Sequence, residues 1–219
     1  MTLLQRTSSG YLLAGPNGPI SLRNSSGWKP SDASTPNWDA THAIRTPSGY
    51  KVLLTGAAAH NNKFYVWDTN ADGVITRGSG WKTSAQAHSL NWEHTFSTDF
   101  DNNGLISGGS SYLLAGPNGP ITLRNRNGWK PSDASNPNWD ATHAIRTPTG
   151  YKVLLTGAAA QNNKFLVWNV NRAGVITRGS GWKTIAQAHA LGWESTFGDL
   201  IQPDGVIGTP LNSSFISSV

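Results

Sequence analysis

The sequence predicts a mainly β fold made of two tandem repeats, and three observations support this prediction. Residues 11–107 align with residues 112–208 without gaps and at about three-quarters identity. Glycine (24 of 219 residues) and proline (12) interrupt the chain too often for long helices. The apolar segments are short and are bounded by turn-forming residues. We therefore expect each repeat to be an antiparallel meander of about six strands with one short helix, and a single propeller-like domain is the alternative.

The repeat also predicts the domain boundaries. Residues 1–107 form the first repeat, residues 108–208 the second, and residues 209–219 a C-terminal tail. Each repeat carries five tryptophans at equivalent positions, which is enough to build a core in a unit of about 100 residues. The equivalent pairs are Trp28 and Trp129, Trp38 and Trp139, Trp67 and Trp168, Trp81 and Trp182, and Trp92 and Trp193.

The first predicted strands of each repeat surround a turn. In the first repeat, the sequence GPNGP predicts a turn between strands at Tyr11–Ala14 and Ile20–Arg23. Residues 25–40 are then predicted as a polar loop that carries Trp28 and Trp38.

Four further strands complete the predicted meander. Proline, glycine and asparagine between them mark the turns. In the third of these strands, Phe64 and Val66 alternate with Tyr65 and Trp67, which indicates burial on both faces of the sheet. The four strands are predicted at Thr41–Thr46, Tyr50–Thr55, Lys63–Asp68 and Val74–Arg77.

A single helix and a polar loop are predicted to close the repeat. Residues Ser84–Phe96 place Ala85, His88 and Trp92 at three- and four-residue spacings, which is typical of a helix. The loop has the sequence DFDNNGLIS over residues 99–107.

The composition argues against several classes of protein. The chain has no cysteine, which excludes disulfides and thiolate metal sites. The apolar runs are far shorter than a bilayer span, so membrane insertion is not expected. The net charge is +5, but the 17 lysine and arginine residues are scattered, so no nucleic-acid partner is expected.

Four motifs follow one another in the first repeat: GYKV, KFYVWDTNADG, a short helix with Trp-Glu, and F-x-x-D-x-D-x-x-G-x-I. Their order resembles the bacterial tryptophan-rich repeat domain of secreted and surface proteins in cyanobacteria and proteobacteria, often near RTX-type calcium-binding segments. The resemblance implies an extracellular, calcium-rich setting and does not imply an enzyme. The first repeat matches the closing motif at Glu93, Phe96, Asp99, Asp101, Gly104 and Ile106. The second repeat keeps Glu194, Phe197, Asp204, Gly205 and Ile207, with the preceding acid displaced to Asp199.

Residues 68–75, DTNADGVI, have the pattern of the first part of a calcium loop. Asp68, Asn70 and Asp72 supply oxygen atoms at alternate positions, and Gly73 follows at the sharp turn. The twelfth position is Ser79, so the bidentate carboxylate is missing, and the second repeat reads NVNRAGVI here. A hairpin turn, in which Asn and Asp bond to their own backbone, is the alternative interpretation.

Residues 99–106 are the better candidate for calcium. Asp99, Asp101 and Asn103 follow the predicted helix, and Gly104 comes next. This loop also lacks an acid at its twelfth position, where Ser110 stands. The sequence therefore predicts calcium as a weakly bound cofactor of the first repeat.

The loops at 25–40 and 126–141 are candidate glycan-binding loops. An exposed tryptophan can stack on the C–H face of a sugar, and carboxylates bond to hydroxyl pairs. Trp38, Asp39, Trp139 and Asp140 are the predicted ligand-binding residues. The alternative is that these tryptophans fold back beneath their loops.

The sequence does not predict an enzyme. Its only glutamates, Glu93 and Glu194, lie on the predicted helices, whereas a glycosidase needs two carboxylates that face each other across a cleft. No histidine pair with metal-ligand spacing occurs in both repeats, and no Ser-His-Asp, P-loop or dinucleotide motif is present.

We expect a secreted or surface-associated binding or adhesion module that recognises polysaccharide or a cell-surface glycan and is influenced by calcium. The alternative is a self-associating structural subunit of an extracellular filament or surface layer. The N-terminus has no recognisable signal peptide, and the tail LNSSFISSV is compatible with an uncleaved C-terminal secretion signal. The predicted location is extracellular or at the cell surface.

Overall fold

The computed structural model describes residues 3–34 and 36–197, and the chain forms two compact units. Both units are mainly β, and their strands follow the same antiparallel order. This arrangement confirms the predicted fold class of two tandem repeats. The predicted tail at 209–219 lies outside the described residues.

The boundary between the units falls between Asp101 and Asn102. Leu105 and Ile106 form the first strand of the second unit, and Leu105 is buried in the core of that unit. Leu4 has the equivalent place in the core of the first unit. Residues 102–107 therefore belong with the repeat that follows them, because Leu105 contributes to its core.

A small three-stranded sheet opens the first unit. Its strands are β1 (Leu4–Thr7), β2 (Gly10–Gly15) and β3 (Gly18–Ser21), in the order β1-β2-β3. The GPNGP turn joins β2 to β3 as predicted.

A larger antiparallel sheet follows, and all four of its predicted strands are present. The strand β4 begins at Trp38, earlier than predicted, so Trp38 lies in the sheet and not in the polar loop. Two short strands, β7 and β8, both pair with β6. The strands are β4 (Trp38–Thr46), β5 (Gly49–Gly56), β6 (Lys63–Asn70), β7 (Ile75–Gly78) and β8 (Lys82–Thr83).

The larger sheet is covered on both faces, as the alternation in β6 predicted. One face packs Val52 and Leu54 against Leu13 and other residues of the small sheet. The opposite face packs Phe64 and its neighbours against the helical segment. Each unit thus has three layers, in which the larger sheet lies between the small sheet and the helical segment.

The prediction of one helix at Ser84–Phe96 is wrong, because two short helices occupy this segment. They are α1 (Ser84–Ser89), which begins at a capping box between Thr83 and Gln86, and α2 (Trp92–Phe96). Asn91 separates them in a left-handed conformation with φ of 57°. The equivalent residue of the second repeat is Gly192, with φ of 67°. Asparagine and glycine tolerate this conformation best, so the break is encoded locally.

The second unit repeats this arrangement with shorter strands in its small sheet. None of the described helices of the chain is long and apolar enough to cross a membrane. The elements of the second unit are β9 (Leu105–Ile106), β10 (Leu113–Leu114), β11 (Ile121–Thr122), β12 (Trp139–Thr147), β13 (Gly150–Gly157), β14 (Lys164–Asn171), β15 (Ile176–Gly179), β16 (Lys183–Thr184), α3 (Ile185–Ala190) and α4 (Trp193–Phe197).

Candidate functional site

The loop after the small sheet presents one exposed tryptophan in each unit. Trp28 is 46% exposed and Trp129 is 45% exposed, although large aromatic side chains are usually mostly buried. The Asn24 side chain fixes the first loop, because its Oδ1 accepts the N–H of Ser26 at 3.0 Å and the N–H of Trp28 at 2.9 Å.

Asn125 fixes the second loop in the same way. Its Oδ1 accepts the N–H groups of Asn127 and Trp129, both at 2.9 Å. The exposed indoles are therefore carried by loops with defined hydrogen bonding, and residues 25–29 and 126–130 are all exposed.

The predicted ligand residues Trp38 and Trp139 lie in the cores of their units. Trp139 is only 9% exposed, and Trp38 is partly buried. The Trp38 ring packs edge-on against Trp67 with the ring centroids 5.2 Å apart, and Trp139 packs in the same way against Trp168 with the centroids 5.3 Å apart. This placement corresponds to the alternative interpretation, in which these tryptophans fold back beneath their loops.

Tyrosine hydroxyls lie close to the predicted ligand residues Asp39 and Asp140. The Tyr112 hydroxyl donates to Asp140 Oδ1 at 3.4 Å, whereas the Tyr11 hydroxyl donates to Asp32 Oδ1 at 2.5 Å. Burial raises the pKa of Tyr11, and the hydrogen bond to Asp32 raises it further. Asp39 is half-buried on β4 and Asp140 is exposed on β12.

Two of the predicted calcium ligands, Asp99 and Asp101, come together with Glu93. Single oxygen atoms of the three carboxylates lie within 4.8 Å of one another. Glu93 is buried on α2, where its Oε1 accepts the N–H of Phe100 at 3.0 Å and its Oε2 lies 3.5 Å from His88 Nδ1. Oxygen atoms from carboxylates are the ligands that calcium prefers, so the donor set fits this ion.

Asn103, the third predicted ligand of this loop, belongs to the second unit. Its Oδ1 accepts the N–H of Leu105 at 2.7 Å. In the second repeat, Leu200 and Gln202 stand where the first repeat has Asp99 and Asp101, and residues 198–208 lie outside the described part of the chain. Asp199 and Asp204 are among these residues.

The DTNADGVI stretch forms a hairpin turn between β6 and β7. Asn70 Oδ1 accepts the N–H groups of Asp72 at 3.1 Å and Val74 at 2.9 Å. Gly73 has φ of 75°, and a Cβ atom there would lie 2.8 Å from the Ser21 carbonyl oxygen. These contacts correspond to the turn interpretation, and calcium binding by Asp68, Asn70 and Asp72 stays a prediction.

Asp68 points away from this turn onto the helix-covered face of the sheet. It lies between Lys51 on β5 and Arg77 on β7, its direct cross-strand neighbours. Its Oδ1 accepts from Lys51 Nζ at 2.6 Å. The three side chains form a row in which one carboxylate stands between two cations.

The same row in the second unit lacks the carboxylate. Lys152 and Arg178 flank Asn169 in the equivalent register. Arg178 also lines an open groove of about 360 Å³ together with Arg126, which replaces Ser25 of the first repeat.

The two units differ in charge because of such substitutions. Residues 1–101 contain eight lysines and arginines and seven acids, whereas residues 102–219 contain nine and five, which gives net charges of +1 and +4. Four replacements toward positive charge lie on the loop after the small sheet, on the third long strand or on the turn after it. They are Ser25 by Arg126, Asp68 by Asn169, Ala71 by Arg172 and Asp72 by Ala173.

Sequence reasoning missed Trp28 and Trp129 as the exposed tryptophans, and it missed the basic groove. The signal for the tryptophans is the Asn-x-x-Gly-Trp motif, in which asparagine caps the loop that presents the indole. The signal for the groove is the set of charge-changing differences between the repeats.

Comparisons with known protein families, with curated proteins and with solved structures gave no match to this chain.

Proposed function

We propose that the protein is a two-repeat binding or adhesion module that recognises polysaccharide, with Trp28 and Trp129 as its sugar-stacking side chains. The observation that carries this proposal is the exposure of an indole at the same position of both units, at 46% and 45%. An indole presents a flat apolar face with one polar edge, which suits the C–H face of a sugar ring.

Exposed polar residues lie next to each exposed tryptophan in its loop. Ser26 and Lys29 flank Trp28, and Asn127 and Lys130 flank Trp129, all of them exposed. These groups can exchange hydrogen bonds with sugar hydroxyls while the indole stacks. Because the asparagine caps order both loops before a ligand binds, little conformational entropy is lost on binding.

Duplication of the site suits a long ligand with repeated units. Once one repeat has bound a chain of a polysaccharide, the second binds at a raised effective concentration. Secretion or attachment to the cell surface is part of this proposal, and the resemblance to the tryptophan-rich repeat domain supports it. Calcium bound by Glu93, Asp99 and Asp101 would neutralise their mutual repulsion and order the end of the first repeat.

Alanine substitution of the two tryptophans tests the proposal on the full chain. Binding is measured against a panel of immobilised polysaccharides by affinity electrophoresis. We expect Trp28→Ala and Trp129→Ala each to weaken binding by about tenfold through lost stacking and lost bivalency, and the double variant to abolish it.

The matched controls are Leu90→Ala and Leu191→Ala, which remove exposed apolar side chains (49% and 54% exposed) outside the loops and should leave binding unchanged. Equal weakening by these controls would contradict a role for the indoles. Concentration-dependent filaments in electron micrographs, without any polysaccharide binding, would instead support the structural subunit.

A further inference from the structure

We propose that the second repeat carries a basic row of side chains and an adjoining groove that together bind the anionic groups of an acidic polysaccharide, and that the first repeat neutralises the equivalent row with its own carboxylate. This inference rests on the proposed function and specifies its ligand class: a polysaccharide with sulfate or carboxylate groups. The argument begins with two equivalent rows of side chains on the larger sheets.

In the first repeat, a carboxylate of the row pairs with one of its two cations. Asp68 Oδ1 lies 2.6 Å from Lys51 Nζ, and Asp68 also stands directly opposite Arg77. Direct cross-strand neighbours have Cβ atoms about 5 Å apart, so the carboxylate occupies the place where an external anion would have to lie.

In the second repeat, none of the described carboxylates takes the place of Asp68 in this row. Asn169 replaces the carboxylate with a neutral amide, which can still donate hydrogen bonds to an anion. Lys152 and Arg178 keep their register on either side of it. The row thus presents two cations and an amide donor from three adjacent strands.

The groove beside this row adds a further cation. Arg126 and Arg178 line it together, with Asn125 and Asn127 as polar neighbours. None of the acids that the structure describes between residues 102 and 197 lines this groove. Arginine side chains recognise sulfate and carboxylate groups through paired hydrogen bonds, which suits the groove to these groups.

The position of Trp129 favours an acidic polysaccharide over a nucleic acid. The indole is in the same loop as Arg126, and Asn125 holds both ends of that loop. A sugar ring stacked on Trp129 would therefore carry its anionic substituents close to the groove. The basic residues form a short cluster and not the long stripe that tracks a nucleic-acid backbone.

Two substitutions that install the first repeat's residues test the inference on the full chain. Asn169→Asp restores the carboxylate, and Arg126→Ser removes the added cation. Both residues occur naturally at the equivalent positions of the first repeat, so the fold accommodates them. Thr149→Ser is the matched control, because it installs the residue of the first repeat at an exposed position without changing charge.

Binding is measured by isothermal titration with dextran sulfate, with unsubstituted dextran and with a short DNA duplex. We expect the wild type to prefer dextran sulfate in a salt-dependent manner, and we expect Asn169→Asp and Arg126→Ser each to weaken this binding about tenfold. Thr149→Ser should bind as the wild type does.

The alternative outcomes separate the inference from the proposed function. Tryptophan-dependent binding of polysaccharides without any preference for dextran sulfate, or unchanged affinity in both charge variants, would overturn the inference and leave the proposed function intact. Tighter binding of the DNA duplex than of dextran sulfate would overturn the polysaccharide assignment. Failure to bind any polysaccharide would overturn both.

Discussion

The two repeats keep the same fold and an exposed tryptophan at the same position. They differ in charged residues on one face of the larger sheet and in the loop that closes the repeat. The cores are nearly invariant: Leu13 and Leu114 are both fully buried, as are Leu53 and Leu154. The differences collect where side chains reach solvent, for example at Asp68 and Asn169. Close packing restricts substitution in the core, whereas a surface position accepts a new charge at little cost in stability.

The largest expected difference between the repeats concerns calcium. The first repeat has Asp99 and Asp101 beside Glu93, and the second has Leu200 and Gln202 at the equivalent positions. At a calcium concentration of about 100 times the Kd, binding to the folded state alone should stabilise the first repeat by about 2.7 kcal/mol. Hydrogen exchange of the full chain with calcium or with EDTA measures this effect in each repeat separately.

Asp101→Gln, which installs the residue of the second repeat, should abolish the protection by calcium. The neighbouring substitution Asn102→Pro is unsuitable as a control because proline restricts the backbone. The control is therefore Asp72→Ala. It installs the residue of the second repeat and removes an acid from the hairpin turn. If protection from hydrogen exchange by calcium survives in Asp101→Gln but disappears in Asp72→Ala, the calcium site lies at residues 68–75 instead.

The two buried tyrosines are expected to behave alike. The Tyr11 hydroxyl accepts the N–H of Ala40 at 3.1 Å and donates to Asp32 at 2.5 Å. The Tyr112 hydroxyl accepts the N–H of Ala141 at 3.2 Å and is hydrogen-bonded to Asp133 in the same way. Tyr11→Phe and Tyr112→Phe should therefore each cost about 1–3 kcal/mol. Urea denaturation of the full chain measures both costs, and a cost in one repeat alone would contradict the shared geometry.

The smallest effect concerns His42, which is partly buried on β4. Burial lowers its pKa from 6.5, and the Arg6 cation lowers it further. Because the unfolded chain then takes up a proton more readily than the folded chain, His42 contributes full stability above pH 6.5. That contribution declines as the pH falls through 6.5 towards the pKa of the folded state.

The second repeat has Ser107 in place of Arg6, which supplies a matched substitution. Arg6→Ser should raise the pKa of His42 towards its usual value and reduce the loss of stability in acid. An NMR titration of the His42 ring measures the pKa directly. An unchanged or lowered pKa in Arg6→Ser would show that the cation has no such effect.

The sequence predicted the repeats, the long strands and the cover on both faces, because these follow from identity at a fixed offset and from alternation within a strand. It placed Trp38 in a loop because the residues before it (SDASTPN) are typical of a loop. It also predicted one helix across Asn91, although the pair Asn91 and Gly192 carries the signal for the break.

The candidate sites were harder to predict because their side chains come together only in the folded chain. Glu93 reaches the acidic loop only because α2 folds back to place its carboxylate beside Asp99 and Asp101. Lys51, Asp68 and Arg77 become neighbours only through the register of three strands. Motif spacing does not give either arrangement in space, whereas the aligned repeats reveal which members of each group differ between the repeats.

The central claim is that charge differences between the repeats create the anion-binding site of the second repeat. Reversing these differences tests this claim most directly. The variant combines Asp68→Asn with Ser25→Arg, so that the first repeat receives the neutral amide of the row and the added cation of the groove. A sulfated oligosaccharide is titrated while the backbone amides are followed by NMR. In the wild type, shifts along the long strands should be confined to the second repeat, around Lys152, Asn169 and Arg178, whereas the tryptophan loops should shift in both repeats. In the variant, equivalent shifts should appear around Lys51 and Arg77. Shifts around Lys51 and Arg77 in the wild type, or none there in the variant, would contradict the proposed origin.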